Sequence, residues 1–266
     1  MLGHPGSQKT QLNLGTTMTQ FYEQLIKFGL SEFNFERVNE LTALKKQLLI
    51  FTNETLNSNI NDLENLHLIL NSENLNEFRQ KAISCLNQQT HFRHILEQSL
   101  IDLCAPILGP DLVIQKNINL VISLPQDETS QIPLHCDTLT GHSNFELTLW
   151  LPLTRVFSSQ SMFILPYDKW QNSKKTAFSK NTTIQKMLTE WQDDIKYLNL
   201  NFGSAVIFWH ALPHGNTVNH ESLTRWSLNI RVKNIFSPYG DKKLGDYFKI
   251  LQLSPFSQMA LKEEHS

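Results

Sequence analysis

The stretch "IPLHCDT", residues 132–138, places a histidine and an aspartate two residues apart in an apolar run that is typical of a β-strand. Residues i and i+2 of a strand point to the same side, so the side chains of His135 and Asp137 could reach one ion. A carboxylate beside a neutral imidazole suits a divalent first-row metal. The pair alone is a weak signal, because a core histidine followed by a turn carboxylate gives the same pattern.

A second apolar run, "VIFWHALPHGN", supplies the candidates for a third ligand. His214 follows the predicted strand in a turn, and His210 ends the same strand earlier. Strand pairing across a barrel would bring His214 to the His135 and Asp137 pair. Two histidines and one carboxylate on one face of an octahedron form the facial triad of non-haem Fe(II) oxygenases, which leaves coordination positions open.

The segment "RWSLNIRV", residues 225–232, has two different faces when it is drawn as a strand, because strand side chains alternate. One face is polar and consists of Arg225, Ser227, Asn229 and Arg231. The apolar face offers a surface for the amphipathic helices that are predicted upstream. The polar row then points into a barrel, and a cationic interior of this kind is suited to an anionic ligand.

2-Oxoglutarate is an anion that would use such an interior. If it chelates iron through its 1-carboxylate and 2-keto oxygens, its distal carboxylate needs a buried partner, and arginine offers a permanently charged fork. We therefore expect Arg225 and Ser227, which share one strand face, to bind the distal carboxylate of this cosubstrate. Arg231 lies further along the same face, where we expect a structural or substrate-side ion pair.

The first part of the chain is predicted to be helical. Residues 16–29 have threonines before an apolar period and Gly29 at the end, as helix starts and stops require. Further helices are predicted at residues 35–56 and 59–70, and two more between residues 73 and 108. From Leu112 the pattern changes to short apolar runs bounded by turn residues, which predicts β-strands.

We expect a single domain, residues 16–266, after a flexible N-terminus, residues 1–15. Within it, residues 16–110 form a helical support and residues 111–236 form the β core. Residues 167–200 are a polar, helix-prone insertion that could act as a lid, and residues 237–266 are predicted to form one or two closing helices. The expected fold class is α+β, with the N-terminal helices packed on the larger sheet.

Composition excludes several classes of partner. The net charge is -2, and lysine and arginine are scattered, so neither nucleic acid nor an anionic membrane is an expected partner. The N-terminal residues lack the pattern of a secretory signal, and no run reaches the ~18 apolar residues of a membrane-spanning helix. We therefore expect a cytoplasmic protein. Cys85, Cys104 and Cys136 have no paired spacing and are expected to be reduced thiols.

The segments "HCDT", "GSAVIFWHALPHGN" and "RWSLN" resemble the His-x-Asp, His and Arg-x-Ser pattern of Fe(II)/2-oxoglutarate-dependent oxygenases. The resemblance extends over roughly residues 117–248 and is to the phytanoyl-CoA hydroxylase-like branch. Within that branch it is closer to oxygenases of carbohydrate and aminoglycoside gene clusters, the streptomycin biosynthesis protein G-like group. It implies a double-stranded β-helix (jelly-roll) core, Fe(II), 2-oxoglutarate and O2.

The resemblance also favours His214 over His210, since "HGN" matches the distal histidine of the family. His210 is then a packed residue or supports a ligand. Hydroxylation of a small, carbohydrate-related metabolite is the expected reaction, with desaturation and epimerisation left open. The alternative is a non-redox jelly-roll protein that uses its metal to bind or isomerise a sugar; such a protein needs neither Arg225 nor Ser227. His142, Asn144 and Glu146 either line the substrate entrance or cap the following strand.

Overall fold

The computed structural model describes residues 18–177 and 184–264. The predicted flexible N-terminus, residues 1–15, and residues 178–183 of the insertion lie outside this part of the chain. None of the helices in the described part is long and apolar enough to cross a membrane.

Amphipathic helices dominate the chain before residue 110. The helices are α1 (Met18–Phe28), α2 (Val38–Leu56), α3 (Ser72–Asn87), α4 (Thr90–Leu108), α5 (Tyr167–Ala177), α6 (Ile184–Glu190) and α7 (Pro255–Glu264). Leu41, Leu44 and Leu48 recur at helical spacing in α2, and all three are buried. Gly29 ends α1 as predicted, with a positive φ of 73° that favours glycine. The helix predicted at residues 59–70 is a shorter 3-10 helix, Leu63–Leu68.

Two antiparallel sheets form the β core. Their strands are β1 (Leu30–Asn34), β2 (Leu112–Gln115), β3 (Asn119–Ser123), β4 (Glu146–Pro152), β5 (Met162–Ile164), β6 (Lys196–Tyr197), β7 (Ser204–Trp209), β8 (His214–Asn216), β9 (Arg225–Asn234) and β10 (Phe248–Gln252). The larger sheet has the order β1-β7-β4-β9-β2-β10, and β3 also pairs with β9. The smaller sheet has the order β6-β5-β8.

The outer face of the larger sheet is covered by the N-terminal helices, as the sequence predicts. The apolar side chains of β9 belong to one buried cluster with the leucines of α2, α3 and α4. Trp226 of β9 shows this packing well: its ring lies 6.0 Å from that of Phe78, and its Nε1 donates to the carbonyl of Leu63 at 2.9 Å. The polar face of β9 is consequently turned to the inside of the β core.

The inside of the β core has an apolar part and a polar part. In the apolar part, Trp150 and Phe208 of the larger sheet pack with Phe163 and Ile164 of the smaller sheet. Trp191, from the insertion, joins the same cluster. In the polar part, the inward side chains of β9 lie beside those of the neighbouring strand β4, since Arg231 pairs with Thr148 and Ser227 with Pro152 in the antiparallel register.

Four local predictions are corrected by the structure. The helical segment is interrupted by β1, an edge strand too short for its period to stand out between two helices. Residues 132–137 are not a regular strand: His135 forms an isolated bridge, and Asp137 begins a 3-10 turn. His214 begins β8 instead of lying in a turn. The C-terminal segment contains β10 before its helix, because β2 offers it an open edge.

Candidate functional site

Two backbone segments lie side by side and bring the three predicted ligands together. The N–H of His135 donates to the carbonyl of His214 at 2.9 Å, and the N–H of His214 donates back to His135 at 2.9 Å. The N–H of Asp137 donates to the carbonyl of His210 at 3.2 Å. His135, Asp137 and His214, called the triad below, consequently converge, and their ligand atoms all lie within 4.8 Å of one another.

The two triad histidines are oriented by nearby carbonyl groups. Nδ1 of His135 lies 2.8 Å from the carbonyl of Pro133, and Nδ1 of His214 lies 2.8 Å from the carbonyl of Leu212. Because a carbonyl oxygen only accepts, each Nδ1 carries a proton and each neutral ring keeps a lone pair on Nε2. These Nε2 atoms lie 3.2 Å (His135) and 3.7 Å (His214) from Oδ1 of Asp137. Three acceptors thus face one another, an arrangement that a cation stabilises.

The second carboxylate oxygen of Asp137 is held by a guanidinium group. Nε of Arg231 donates to Oδ2 at 3.0 Å, Nη2 donates to the same oxygen, and Nδ1 of His210 lies 3.3 Å from it. Burial raises the pKa of Asp137, but contacts with His135 and His210 and the charge of Arg231 outweigh burial and hold the pKa well below its usual range. Asp137 is therefore a carboxylate that turns Oδ1 towards the triad histidines.

The triad histidines differ in their affinity for protons. Burial lowers the pKa of His214 to about 4, so this imidazole is neutral at physiological pH. Burial also tends to lower the pKa of His135. The contact with Asp137 and the bond to Pro133 outweigh burial, so the pKa of His135 is raised above its usual value. A metal ion bound by Nε2 of His135 and Oδ1 of Asp137 would occupy the position that a proton takes when the His135 ring is charged.

A second, largely buried cluster adjoins the triad and consists of His142, Glu146 and His210. Nδ1 of His142 lies 2.8 Å from Oε2 of Glu146, and Nε2 of His210 lies 2.6 Å from the carbonyl of Ser143. Glu146 also accepts the N–H of Ser143 at 2.9 Å, and its side chain is fully buried. These bonds favour the capping interpretation of Glu146 over a place at an open substrate entrance.

Sequence reasoning did not identify this second cluster as a unit. One signal was present: Glu146 heads the otherwise apolar strand "FELTLWLPL", and a carboxylate on the inward face of a strand needs buried partners. Which partners it finds depends on the loop between Asp137 and Glu146, and the strand pattern carries no information about that loop. The structure places His210 in this cluster and His214 in the triad.

Arg225 lies six residues from Arg231 on the inward face of β9 and is 2% exposed. Its Nη1 donates to the carbonyl of Gln160 at 3.0 Å, whereas its Nε has no hydrogen-bond partner in the described part of the chain. Burial lowers the pKa of Arg225 to about 10, so the guanidinium is charged at neutral pH. Among the described residues, no carboxylate forms an ion pair with Arg225 within 4.0 Å.

Ser227 is two residues further along the same face and fully buried, and within residues 18–177 and 184–264 its hydroxyl also has no hydrogen-bond partner. Burying a charge or a hydroxyl without a partner costs free energy, so such groups usually have a ligand or a counter-ion. The groups in the β core therefore fit a divalent first-row cation at the triad and a carboxylate anion at Arg225 and Ser227.

Comparison with known proteins gives structural similarity only. No family model matches the sequence, and no curated protein matches it. The non-heme monooxygenase ThoJ in its nickel complex is similar over 91% of this chain and 93% of its own, with a TM-score of 0.55 and 15% identity. AviO1 from Streptomyces viridochromogenes is similar over 86% of this chain and 100% of its own, with a TM-score of 0.55 and 14% identity.

The non-heme α-ketoglutarate-dependent epimerase SnoN covers 88% of this chain and 98% of its own, with a TM-score of 0.53 and 11% identity. SnoN has also been solved in complex with Fe3+, α-ketoglutarate and nogalamycin RO. At these identities the similarity concerns the fold, and it confirms the predicted α+β fold class. The chain therefore has a double-stranded β-helix fold, shared with non-heme α-ketoglutarate-dependent enzymes such as SnoN.

Proposed function

We propose that the protein is an Fe(II)/2-oxoglutarate-dependent oxygenase. In this proposal His135, Asp137 and His214 bind Fe(II), and Arg225 and Ser227 bind the distal carboxylate of 2-oxoglutarate. The three metal ligands are also the proposed catalytic residues, and Arg225 and Ser227 are the proposed cofactor-binding residues. O2 is the co-reactant. With these groups bound, O2-dependent decarboxylation of 2-oxoglutarate to succinate and CO2 would supply the oxidising chemistry for a substrate C–H bond.

The buried and unpaired Arg225 is the observation that carries this proposal. A metal triad alone is compatible with the non-redox alternative, in which the ion only binds or isomerises a sugar. That alternative gives no role to a fully charged guanidinium with a free Nε, or to the unpaired hydroxyl of Ser227, in the same interior. A dicarboxylate cosubstrate explains both groups, because one carboxylate can accept from each of them.

The residues of this chain would act by holding ligands in place. The carbonyls of Pro133 and Leu212 keep Nδ1 of the two histidines protonated, so that each Nε2 is directed at the metal position. Because Arg225 and Ser227 are buried, they would hold the cosubstrate carboxylate away from water, which would strengthen a charge-assisted hydrogen bond.

We further propose that residues 16–266 act as a single oxygenase domain, since α2–α4 and the larger sheet share one apolar cluster. The proposed substrate is a small, carbohydrate-related metabolite, and hydroxylation is the proposed outcome. The substrate class is suggested by the resemblance of "HCDT", "HGNTVN" and "TRWSLNIRVK" to oxygenases of carbohydrate and aminoglycoside gene clusters. Hydroxylation is the default outcome of the oxidising chemistry proposed above.

Anaerobic titration tests the function directly. Addition of 2-oxoglutarate to the Fe(II)-loaded protein should produce a visible metal-to-ligand absorption band, and admission of O2 should then release succinate. Magnesium in place of iron is the control, since it cannot give the band. A protein that binds Fe(II) but shows neither the band nor succinate would support the non-redox alternative.

The third ligand can be tested with two neighbouring histidines. His214→Ala should abolish tight Fe(II) binding, whereas His210→Ala should retain most of it, because only His214 lies in the triad. Isothermal titration calorimetry with Co(II) as an air-stable substitute measures both variants. If His210→Ala lost the metal and His214→Ala kept it, the ligand assignment would be reversed.

A further inference from the structure

Arg231 is the most heavily bonded side chain around the triad, and the proposed function does not use it. Its Nε and Nη2 both donate to Oδ2 of Asp137, so the fork rests on one oxygen only. Its Nη1 lies 3.3 Å from Oε1 of Gln115 and 3.2 Å from the hydroxyl of Tyr247. The guanidinium is therefore fixed on two sides, and its side chain is 12% exposed.

The two oxygens of Asp137 consequently have different surroundings. Oδ1 lies near Nε2 of His135 and of His214, whereas Oδ2 accepts from Arg231 and has His210 3.3 Å away. A free carboxylate can bind a metal through one oxygen or through both. Here the lone pairs of Oδ2 are engaged by a cation, so only Oδ1 is available to a second cation.

Resting on the proposed function, we propose that Arg231 is a positioning residue that restricts Asp137 to one metal–oxygen bond and thereby keeps a coordination position open for the cosubstrate. A facial triad is useful because three positions remain for other ligands. 2-Oxoglutarate needs two of them, and O2 needs the third. A carboxylate that bound through both oxygens would occupy one of these positions.

Charge makes the expected effect of removing Arg231 distinctive. Loss of a positive charge next to a metal ligand strengthens the attraction between the carboxylate and a divalent cation. Release of Oδ2 also allows Asp137 to bind through both oxygens. Metal binding should therefore tighten or stay the same while 2-oxoglutarate binding weakens. Structural damage to the site would instead weaken both.

Arg231→Gln and Arg231→Lys test the proposal, and Arg93→Gln is the matched control. Arg93 lies on α4 and forms an ion pair with Glu97, and its side chain is also 12% exposed; its bonds to the β core are to the backbone carbonyls of Gln115 and Lys116. Co(II) affinity is measured by calorimetry without cosubstrate, and 2-oxoglutarate affinity is measured on the metal-loaded protein. Circular dichroism of each variant reports whether it is folded.

For Arg231→Gln we expect Co(II) affinity equal to or above that of the wild type, a change of the Co(II) absorption spectrum towards higher coordination, and 2-oxoglutarate affinity lower by about tenfold or more. Arg231→Lys should recover part of the 2-oxoglutarate affinity, because an ammonium can still engage Oδ2 through one bond. Arg93→Gln should leave both affinities unchanged.

Equal losses of Co(II) and 2-oxoglutarate affinity in Arg231→Gln would overturn the inference, as would unchanged affinity for both. If Arg231→Gln does not fold, Tyr247→Phe decides: it removes one bond to Nη1 and should lower 2-oxoglutarate affinity without lowering Co(II) affinity. If Tyr247→Phe lowers Co(II) affinity instead, the inference is also wrong. A wild type that does not bind Co(II) at all would overturn the proposed function itself, and so the two failures are distinguishable.

Discussion

Arg225 and Arg231 lie on the same face of β9, yet of these two only Arg231 forms an ion pair with another described residue. Arg231 is paired with Asp137 and bonded to Gln115 and Tyr247. Among the residues that the structure describes, Arg225 donates to the carbonyl of Gln160, and its Nε is unpaired. A buried cation that is paired has its counter-ion within the protein, whereas a buried cation without a counter-ion is stabilised when an anionic ligand binds. The charge of Arg231 is thus balanced within the protein, whereas the charge of Arg225 needs a ligand to balance it.

The largest expected effect, on the unfolding free energy, comes from breaking the ion pair between Asp137 and Arg231. Asp137→Ala removes a proposed metal ligand and leaves Arg231 buried without its counter-ion, which should cost about 3–5 kcal/mol of unfolding free energy. Urea denaturation of the metal-free protein measures this loss. His135→Ala is the control, since it also removes a ligand but leaves no charge unpaired. If both variants lost the same stability, the pairing of Arg231 would not contribute as proposed.

Removing the charge of Arg225 should weaken the binding of 2-oxoglutarate. In Arg225→Ala the distal carboxylate of 2-oxoglutarate is left unpaired, at a cost of roughly 2–5 kcal/mol, or about thirtyfold to several thousandfold in Kd. Fe(II) affinity should stay nearly intact, because Arg225 is not a proposed metal ligand. Arg225→Lys should recover only part of the loss, since a point charge cannot reproduce the fork. Titration of 2-oxoglutarate into the iron-loaded variants measures the effect, and wild-type affinity in Arg225→Ala would remove the cosubstrate assignment.

The two arginines should also differ in their effect on the stability of the ligand-free protein. Arg225→Met removes an uncompensated buried charge and should be neutral or stabilising, by up to about 4 kcal/mol. Arg231→Met removes the partner of a buried carboxylate and should be destabilising by about 3–5 kcal/mol. Thermal and urea unfolding without metal or cosubstrate compare the two. Effects of the same sign would contradict the contrast between the two regions.

The smallest expected effect concerns the hydroxyl of Ser227. Ser227→Ala removes a hydroxyl that has no hydrogen-bond partner among the described residues, so the stability of the ligand-free protein should not fall. One hydrogen bond to the cosubstrate carboxylate is lost, which should weaken 2-oxoglutarate binding by about 1–2 kcal/mol, or roughly five- to thirtyfold. Ser257→Ala, at a buried serine in the first turn of α7, is the control. A loss of stability without a loss of affinity would indicate that Ser227 has only a packing role.

Sequence reasoning went furthest where the pattern was local. The alternation in "RWSLNIRV" correctly predicted that Trp226 would face the helices and that Arg225 and Ser227 would face the interior. It was less successful at residues 132–137, where the expected strand is an isolated bridge followed by a 3-10 turn. His135 and Asp137 still converge there, but the pairing with residues 210–214 is what brings them together.

The sequence by itself determined which side chains share a face, because alternation along a strand and the period of a helix follow from backbone geometry within a few residues. It also determined that the segment 225–232 has a polar, cationic face and an opposite apolar face on which amphipathic helices can pack. Only the tertiary structure decided that His210 lies with His142 and Glu146, that residues 30–34 form a strand paired with β7, and that Asp137 is the partner of Arg231. Those outcomes depend on contacts between segments that are far apart in the sequence, and the pattern of one segment alone does not determine the free energy of such contacts.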